Sequence, residues 1–453
     1  MAATTPPGFR TLPLPVRQLS LAVVLRCGQS FRWRIFPLMS GNSLTTDASS
    51  PTHEYRLCLR DRVVCLRQSP DMLFYRSVFP GLPPSAVMAG ARETETLAWI
   101  YDYFQLHVDL THLYEQWSDR DSVLHNFKDR FAGIRMLRQD PFENLISFIC
   151  SSNNNISRIT KMVKSLCQHY SPPLLTLAPP ATSSGEPTSE EHSATDSYHP
   201  FPPPSVLASS EVSAKLRSLG FGYRADFIQK TAKMLVEAHG TTKAVEDSLE
   251  PSERWLLTLR RMSTCDAREE LLKFMGVGRK VADCILLMSL DKNEVIPVDT
   301  HVHQIAVKHY GLRVLAKGKA NMTPKLYEEV STKLAAVWGD YAGWAHSVLF
   351  TSDLRSFSSH GLPSPSPTPS VAGSPQKTAG AGSVSDTARP SPTKRKRVKV
   401  VQLVNKGSGT IIDHQLNLPT AVGSEMDDDH ILSLADRVKR RRRTKMVEVT
   451  LMQ

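Results

Sequence analysis

Three side chains in this sequence have the types and spacing of covalent chemistry: Lys280, Cys284 and Asp299. In FMGVGRKVADC, residues 274 to 284, Lys280 falls where a helix begins, and Cys284 comes four residues later, hence on the same helix face. The positive end of a helix macrodipole disfavours an ammonium there. The neutral amine, the form a nucleophile needs, becomes easier to reach. EVIPVDTHVHQIAVKHYG, residues 294 to 311, carries Pro297 and then the stripe Val302, Ile305, Ala306, His309. That pattern marks Asp299 as a helix N-cap and Gly311 as the stop. A helix from Lys280 to Leu290 runs about 16 Å, and the link 291 to 298 spans up to about 26 Å, so the chain can return Asp299 to the side of Lys280. An amine beside a capped carboxylate suits attack on a sugar C1′ through a cationic transition state. The plainer readings stand beside this one: a solvated helix lysine, and a carboxylate that caps a helix, a role compatible with the electrostatic one.

The stretch that carries Lys280 is itself a recognisable device. AREELLKFM reads as a helix with Leu271, Leu272 and Met275 on one side, and KVADCILLMSL as a second with Val281, Cys284, Ile285 and Met288. Only Gly276-Val277-Gly278-Arg279 joins them. Glycines at Gly276 and Gly278 let the backbone turn tightly and bare its N–H groups, which suits close approach to a phosphate. Two helices joined this way form a helix-hairpin-helix, a grip on a phosphate backbone that ignores sequence; a bare helical turn is the alternative.

The elements around it follow from periodicity. From about 28 to 67 the period is two: GQSFRWRIF sets Phe31 and Trp33 against Ser30, Arg32 and Arg34, and EYRLCLRDRVVCLRQ turns at Asp61-Arg62 as an antiparallel hairpin in a half-buried sheet. From about 94 the period becomes helical. DPFENLISFICSS, with Phe142, Leu145, Ile146 and Ile149, and ISRITKMVKSLCQHY, with Ile156, Ile159, Met162, Val163 and Leu166, flank an Asn153–Asn155 triplet. The fold class expected is α+β. It comprises a flexible N-terminus (1–17), an antiparallel sheet domain with flanking helices (18–138), a helical domain (139–355) interrupted by a disordered insertion (171–204), and a disordered basic tail (356–453).

Composition bounds the partners. Of the net charge of +11, the residues from Arg355 onward hold 16 Lys/Arg against 8 Asp/Glu, so +8 lies there, concentrated in KRKRVK (394–399) and RVKRRRRTK (437–445). An anionic polymer is the expected partner, with the tail as a nuclear address or an added grip on DNA. The first acidic residue is Asp47, so an Arg-containing, acid-free start is also compatible with a mitochondrial address. Seven scattered cysteines show no closely spaced ligand set, which argues for reduced thiols and against a zinc ribbon or iron–sulfur cluster. No apolar run approaches the roughly 20 residues a membrane helix needs.

At Lys280 and Asp299 the chain resembles the helix-hairpin-helix DNA glycosylases that use a lysine and an aspartate, specifically the eukaryotic 8-oxoguanine DNA glycosylases, over roughly residues 18 to 170 and 205 to 355. GQSFRW resembles the strand whose glycine carbonyl accepts the N7–H unique to the oxidised base, which implies that role for Gly28. SSNNNISRIT resembles the loop that fills the vacated stack and reads the orphaned cytosine, implying Asn153 and Arg158; GFGYRA implies a wedging Tyr223 and a second cytosine reader, Arg224. GVGRKVADC and PVDTH imply Lys280 as nucleophile, Asp299 as its electrostatic partner, Cys284 in the base pocket and His301 on a phosphate. YAGWAHSVLFTSDLR implies Phe350 stacking on the extruded base opposite Cys284, with Met288 and Pro297 as further pocket walls. Two positions depart from the family: Met275 replaces the proline before the hairpin, and His346 stands where a glutamine commonly pairs with the base edge. The imidazole offers one donor and one acceptor but not an amide's geometry.

The resemblance implies a bifunctional glycosylase and abasic-site lyase, acting as a monomer on duplex DNA containing oxidised guanine, without metal or organic cofactor. Two other functions remain in view. A noncatalytic helix-hairpin-helix scaffold is argued against by the Lys280/Asp299 pair. A glycosylase of the same superfamily for another damaged base would in many cases carry four clustered cysteines beyond the aspartate, and no cysteine follows Cys284.

Overall fold

A computed structural model of the protein describes residues 5–38, 50–81, 85–180, 195–242, 248–312 and 322–362, all within the unit Met1–Pro367. Strands β1 (Arg10–Pro13), β2 (Arg34–Pro37), β3 (His53–Cys58), β4 (Val63–Gln68) and β5 (Met72–Val78) form one antiparallel sheet in the order β1-β5-β4-β3-β2. The hairpin implied by the alternation is present, with Tyr55 opposite Leu66 and Leu57 opposite Val64. Helices α1 (Leu21–Val24), α2 (Ala86–Tyr103), α3 (Leu110–Arg120) and α4 (Ser122–Phe127) belong to the N-terminal half. The helical part runs through α5 (Pro141–Ile149), α6 (Ile156–Tyr170), α7 (Pro204–Leu207), α8 (Val212–Ser218), α9 (Arg224–His239), α10 (Pro251–Thr258), α11 (Thr264–Leu272), α12 (Arg279–Ser289), α13 (Thr300–Tyr310), α14 (Pro324–Trp338) and α15 (Ala342–Asp353). No helix among the described residues is long and apolar enough to cross a membrane.

Several boundaries differ from the periodicity reading. Residues 10 to 13 of the supposed flexible N-terminus are β1, paired with β5. Ser30 to Trp33 are not strand: Phe31 packs into the helical core while Trp33 packs under the sheet, so the two side chains part company. On α11 it is Ala267 and Leu271, followed by Phe274, that are buried, and Leu272 and Met275 are exposed. The ordered chain continues past 355 through a short 3-10 turn with Phe357 buried; from 363 on, the tail lies outside the described residues. The boundary at 138 also fails as a packing boundary. Trp117 and Phe131 share a core with Val302, Leu334 and Trp344, so α3 and α4 are cemented to the C-terminal helices.

The largest correction concerns residues 171–204. Their middle, 181–194, lies outside the described residues, but the flanks form a two-stranded sheet, β6 (Leu175–Leu177) with β7 (Asp196–Tyr198). Tyr198 packs with Phe9, Cys65 and Phe74 against the sheet face that alternation marked as solvated. That face therefore buries charge: Glu54, fully buried, accepts from Arg56 Nε at 2.6 Å and from Arg67 Nε at 2.7 Å, and Arg56 reaches the Ala178 carbonyl at 2.7 Å. A buried cation left without its carboxylate is far costlier than an intact pair is stabilising. Glu54→Ala is accordingly expected to lose about 3 kcal/mol of stability, read from urea unfolding monitored by tryptophan fluorescence; a loss below about 1 kcal/mol would show that water or the β6–β7 hairpin replaces the carboxylate.

Candidate active site

Helix α12 starts at Gly278, which offers no side-chain cap, so its first-turn N–H groups stay open to a ligand. The turn before it stands without proline. Val277 N–H bonds the Phe274 carbonyl at 3.2 Å and the Thr231 hydroxyl holds the Met275 carbonyl at 3.0 Å. Gly276 is required there: its φ is +82°, and a Cβ would sit 2.5 Å from the Phe227 ring.

Lys280 is half-buried in the first turn, its Nζ 5.2 Å from the centre of the Phe148 ring and within hydrogen-bond reach of Cys284. Burial draws its ammonium toward neutrality, but the Cys284 sulfur, which accepts a hydrogen bond from it, and the Asp299 carboxylate more than offset that, so the amine is held protonated above the ordinary lysine value. This reverses the expectation from the helix end alone. Burial also pushes the Cys284 thiol up to about 11, so it faces the cavity as a neutral, polarisable group. Asp299 caps α13 as its spacing implied, one carboxylate oxygen accepting from the His301 and Val302 N–H groups at 2.9 Å each, and Gly311 ends the helix in the left-handed region at φ +63°.

Lys280 and Asp299 share the wall of a cavity of about 700 Å³, and the other pocket residues gather round it. Gly28, Cys284, Met288, Pro297, His301, His346 and Phe350 all line it. Gly28 has φ +92°, and a Cβ there would stand 2.8 Å from Ile156 Cδ1, so the glycine keeps both the turn and the space. His301 Nε2 lies 3.1 Å from Asp353 Oδ2, and its ring meets Phe350 edge-on, with centroids 5.1 Å apart. The arrangement is an open, largely apolar slot with an amine and a carboxylate on its wall.

The residues expected to face the opposite DNA strand lie outside this slot. Asn153 and Gly278 line a second groove of about 730 Å³ that shares Ser151, Asn154, Lys280 and Asp299 with the first. Asn153 is held at φ +50°, Asn154 is tied to the Cys150 carbonyl at 2.9 Å, and Asn155 caps α6 through the Arg158 N–H. Arg158 is exposed and reaches the Gly220 carbonyl at 3.3 Å. Tyr223, 44% exposed, stands over the loop with its hydroxyl on the Ser152 carbonyl. Arg224 is only 3% exposed and spends its guanidinium on the Ser152 and Asn153 carbonyls, so in this conformation it braces the loop.

Comparison with known proteins decides the lineage. Residues 11–145 match the family model described as 8-oxoguanine DNA glycosylase, N-terminal domain, and residues 146–332 match the HhH-GPD superfamily of base excision DNA repair proteins. The N-glycosylase/DNA lyase of Saccharomyces cerevisiae is 34% identical over 370 residues, covering 77% of this chain and 87% of the yeast protein. The chain belongs to the 8-oxoguanine DNA glycosylase family. A second member, the N-glycosylase/DNA lyase of Arabidopsis thaliana, is 34% identical over 357 residues, 78% of this chain and 82% of the plant protein. Among solved structures, the fold is shared with the Clostridium acetobutylicum 8-oxoguanine glycosylase/lyase in complex with duplex DNA containing cytosine opposite 8-oxoguanine, at 24% identity and a TM-score of 0.53, covering 77% of this chain and 96% of that one.

In this 8-oxoguanine glycosylase family member the histidine at 346 stands out. It is 6% exposed, and neither ring nitrogen has a well-formed hydrogen bond. Burial first, with Lys280 and His301 adding to it against the opposing pull of Asp299, lowers its pKa to about 4, so the ring is neutral at physiological pH. The unfolded chain protonates this group near 6.5 while the folded one resists to about 4, so stability is whole above pH 6.5 and is lost as pH falls toward 4. At full effect this amounts to about 3 kcal/mol. His346→Gln is expected to flatten that acid limb in urea midpoints measured at pH 7, 5.5 and 4.5; an unchanged limb would assign it to other groups.

Several residues that line the site were not marked as site residues in the sequence. Phe148, beneath Lys280, is the apolar residue left off the Phe142, Leu145, Ile146, Ile149 stripe, which was its signal. Phe31 was assigned to a sheet face and Ile156 to the apolar stripe of α6, yet both line the cavity, while Asp353 gave no local sign.

Proposed function

We propose that this protein removes 8-oxoguanine paired with cytosine from duplex DNA and then cleaves at the abasic site. One observation carries the reading: Lys280 and Asp299 meet at the wall of a cavity that Gly28, Cys284 and Phe350 also line. The hairpin glycines Gly276 and Gly278 take the phosphate backbone, with His301 on a further phosphate, and Tyr223 with Asn153 fills the space left when the base turns out. The flipped base lies between Cys284 and Phe350, bounded by Met288 and Pro297. The Gly28 carbonyl accepts the N7–H that guanine lacks, and His346 meets the base edge through one ring nitrogen.

The Lys280 amine, once its proton has left, forms a bond to C1′ as the C1′–N9 bond breaks and the base departs with the electron pair. Asp299 faces the positive charge that develops on the sugar. Ring opening gives a Schiff base, loss of a C2′ proton follows, and the 3′ phosphate is eliminated. Arg158 reads the orphaned cytosine, joined by Arg224 once it leaves the Ser152 and Asn153 carbonyls. The protein acts as a monomer, and the basic runs at 394–399 and 437–445 address it to the nucleus.

The test is a labelled duplex with one 8-oxoguanine opposite cytosine, incubated with protein and borohydride. Covalent adduct on this duplex, and not with guanine, with uracil or with 8-oxoguanine opposite adenine, is the expected result. Adduct on all of them would sink the selectivity. No adduct and no base release, with duplex binding intact, would leave a binding protein.

A further inference from the structure

We infer that Tyr327 is a positioning residue, which sets Asp299 against Lys280 by joining the helix that carries the lysine to the backbone that carries the aspartate. The inference rests on the function proposed above, since it presumes that the two residues act as a pair.

Tyr327 sits on α14, 4% exposed, away from the base cavity but on the groove behind Lys280. Its hydroxyl donates to Asp283 Oδ2 at 2.6 Å and accepts from the Val298 N–H at 3.0 Å. Asp283 lies three residues beyond Lys280 on α12, and Val298 immediately precedes Asp299. Two hydrogen bonds through one phenol thus span from the nucleophile's helix to the N-cap of α13.

The direction of each bond is fixed by chemistry. Asp283 is 1% exposed and accepts from Arg268 Nε at 2.7 Å and Arg279 Nε at 3.4 Å, so its carboxylate, paired with two guanidiniums, serves as the acceptor. The phenol proton is therefore committed to Asp283. Burial and that neighbouring carboxylate hold it well above the tyrosine range. The oxygen lone pair is left facing Val298, whose N–H is the backbone donor next to Asp299, since Pro297 has none. A phenol that only filled space would need neither bond. Position matters here because an ångström of drift between an attacking group and its electrostatic partner is costly in rate.

The experiment compares Tyr327→Phe with the whole wild-type chain. Single-turnover base release from the 8-oxoguanine:cytosine duplex is measured per borohydride-titrated active enzyme, alongside the Kd for a duplex with an uncleavable abasic site. The expected result is a rate roughly five- to tenfold lower, the size of the neutral Val298 N–H bond in the barrier, with Kd within about twofold of wild type. Leu334→Ala, a core truncation on the same helix, supplies the control: it lowers Tm but leaves the rate per active enzyme unchanged. Equal rates for Tyr327→Phe and wild type would overturn the inference, as would an equal rate loss in both variants. Hydrogen exchange of the wild-type Val298 amide tests the same bond without a variant; strong protection is expected, and exchange as fast as an exposed amide overturns it. Absence of base release by the wild-type protein would instead fail the proposed function, so the two failures are distinct.

Discussion

Lys280→Gln is expected to abolish both base release and borohydride adduct, with single-turnover release falling at least ~10⁴-fold, about 5.4 kcal/mol of barrier, while duplex binding stays within about twofold. Glutamine keeps a polar tip on a side chain one atom shorter and removes the amine. Lys280 makes no long-range hydrogen bond that holds the fold; its neighbours are the Phe148 ring, Cys284 and Asp299. The wild-type enzyme carries a second signature of the same residue. Because Cys284 and Asp299 outweigh burial and hold the resting amine protonated, the reactive form grows as pH rises toward the lysine pKa, and adduct formation should climb with pH between about 6 and 9. A flat profile over that range would mean that another step, such as base flipping, sets the rate. Residual release by Lys280→Gln above a hundredth of wild type would transfer the attack to water, making the enzyme a monofunctional glycosylase.

Asp299→Asn is the second large effect, and it separates two jobs done by one side chain. The asparagine oxygen can still accept from the His301 and Val302 N–H groups, so the α13 cap survives and the unfolding midpoint should move by less than about 1 kcal/mol. The negative charge beside Lys280 does not survive. Base release should fall by ~10²- to 10³-fold, the scale of losing one preorganised electrostatic contact. Asp299→Ala should lose the cap as well, adding about 1 kcal/mol of instability to a similar rate loss. If Asp299→Asn released base at the wild-type rate, the carboxylate would be a cap and nothing more, and the arrangement of Tyr327, Asp283 and Val298 would concern stability alone.

The cavity also bears on how this chain differs from its relatives. A neutral His346 presents a single donor and a single acceptor at divergent angles, so in the proposed pocket it would engage a base edge at one point where a glutamine amide would engage it at two. Its neutrality is secured by the same burial that shapes the slot. The departure at Met275 proves milder, because the turn is held by the Phe274 carbonyl and by Thr231, both independent of a proline.

The sequence alone determined the features made by near neighbours. The Asp299 cap and the Gly311 stop each depend on contacts within a few residues, and periodicity together with side-chain type is enough to specify them. The α+β order followed for the same reason, while the β3–β4 turn falls one residue earlier than the alternation placed it, with Cys58 opposite Val63. What only the tertiary structure decided are the properties created by distant parts of the chain. The helix end argued for a neutral lysine, but Cys284 and Asp299, brought together in a low-dielectric pocket, hold it charged. Arg224 was read as a free reader and is spent on the loop carbonyls. The polar face of the sheet is buried, because β6 and β7 return from more than a hundred residues away to cover it. Phe148, Asp353 and Tyr327 join the site from three separate helices, a meeting set by long-range packing that no local pattern encodes. Charge state and burial are sums over everything nearby in space, which is why they wait for the fold.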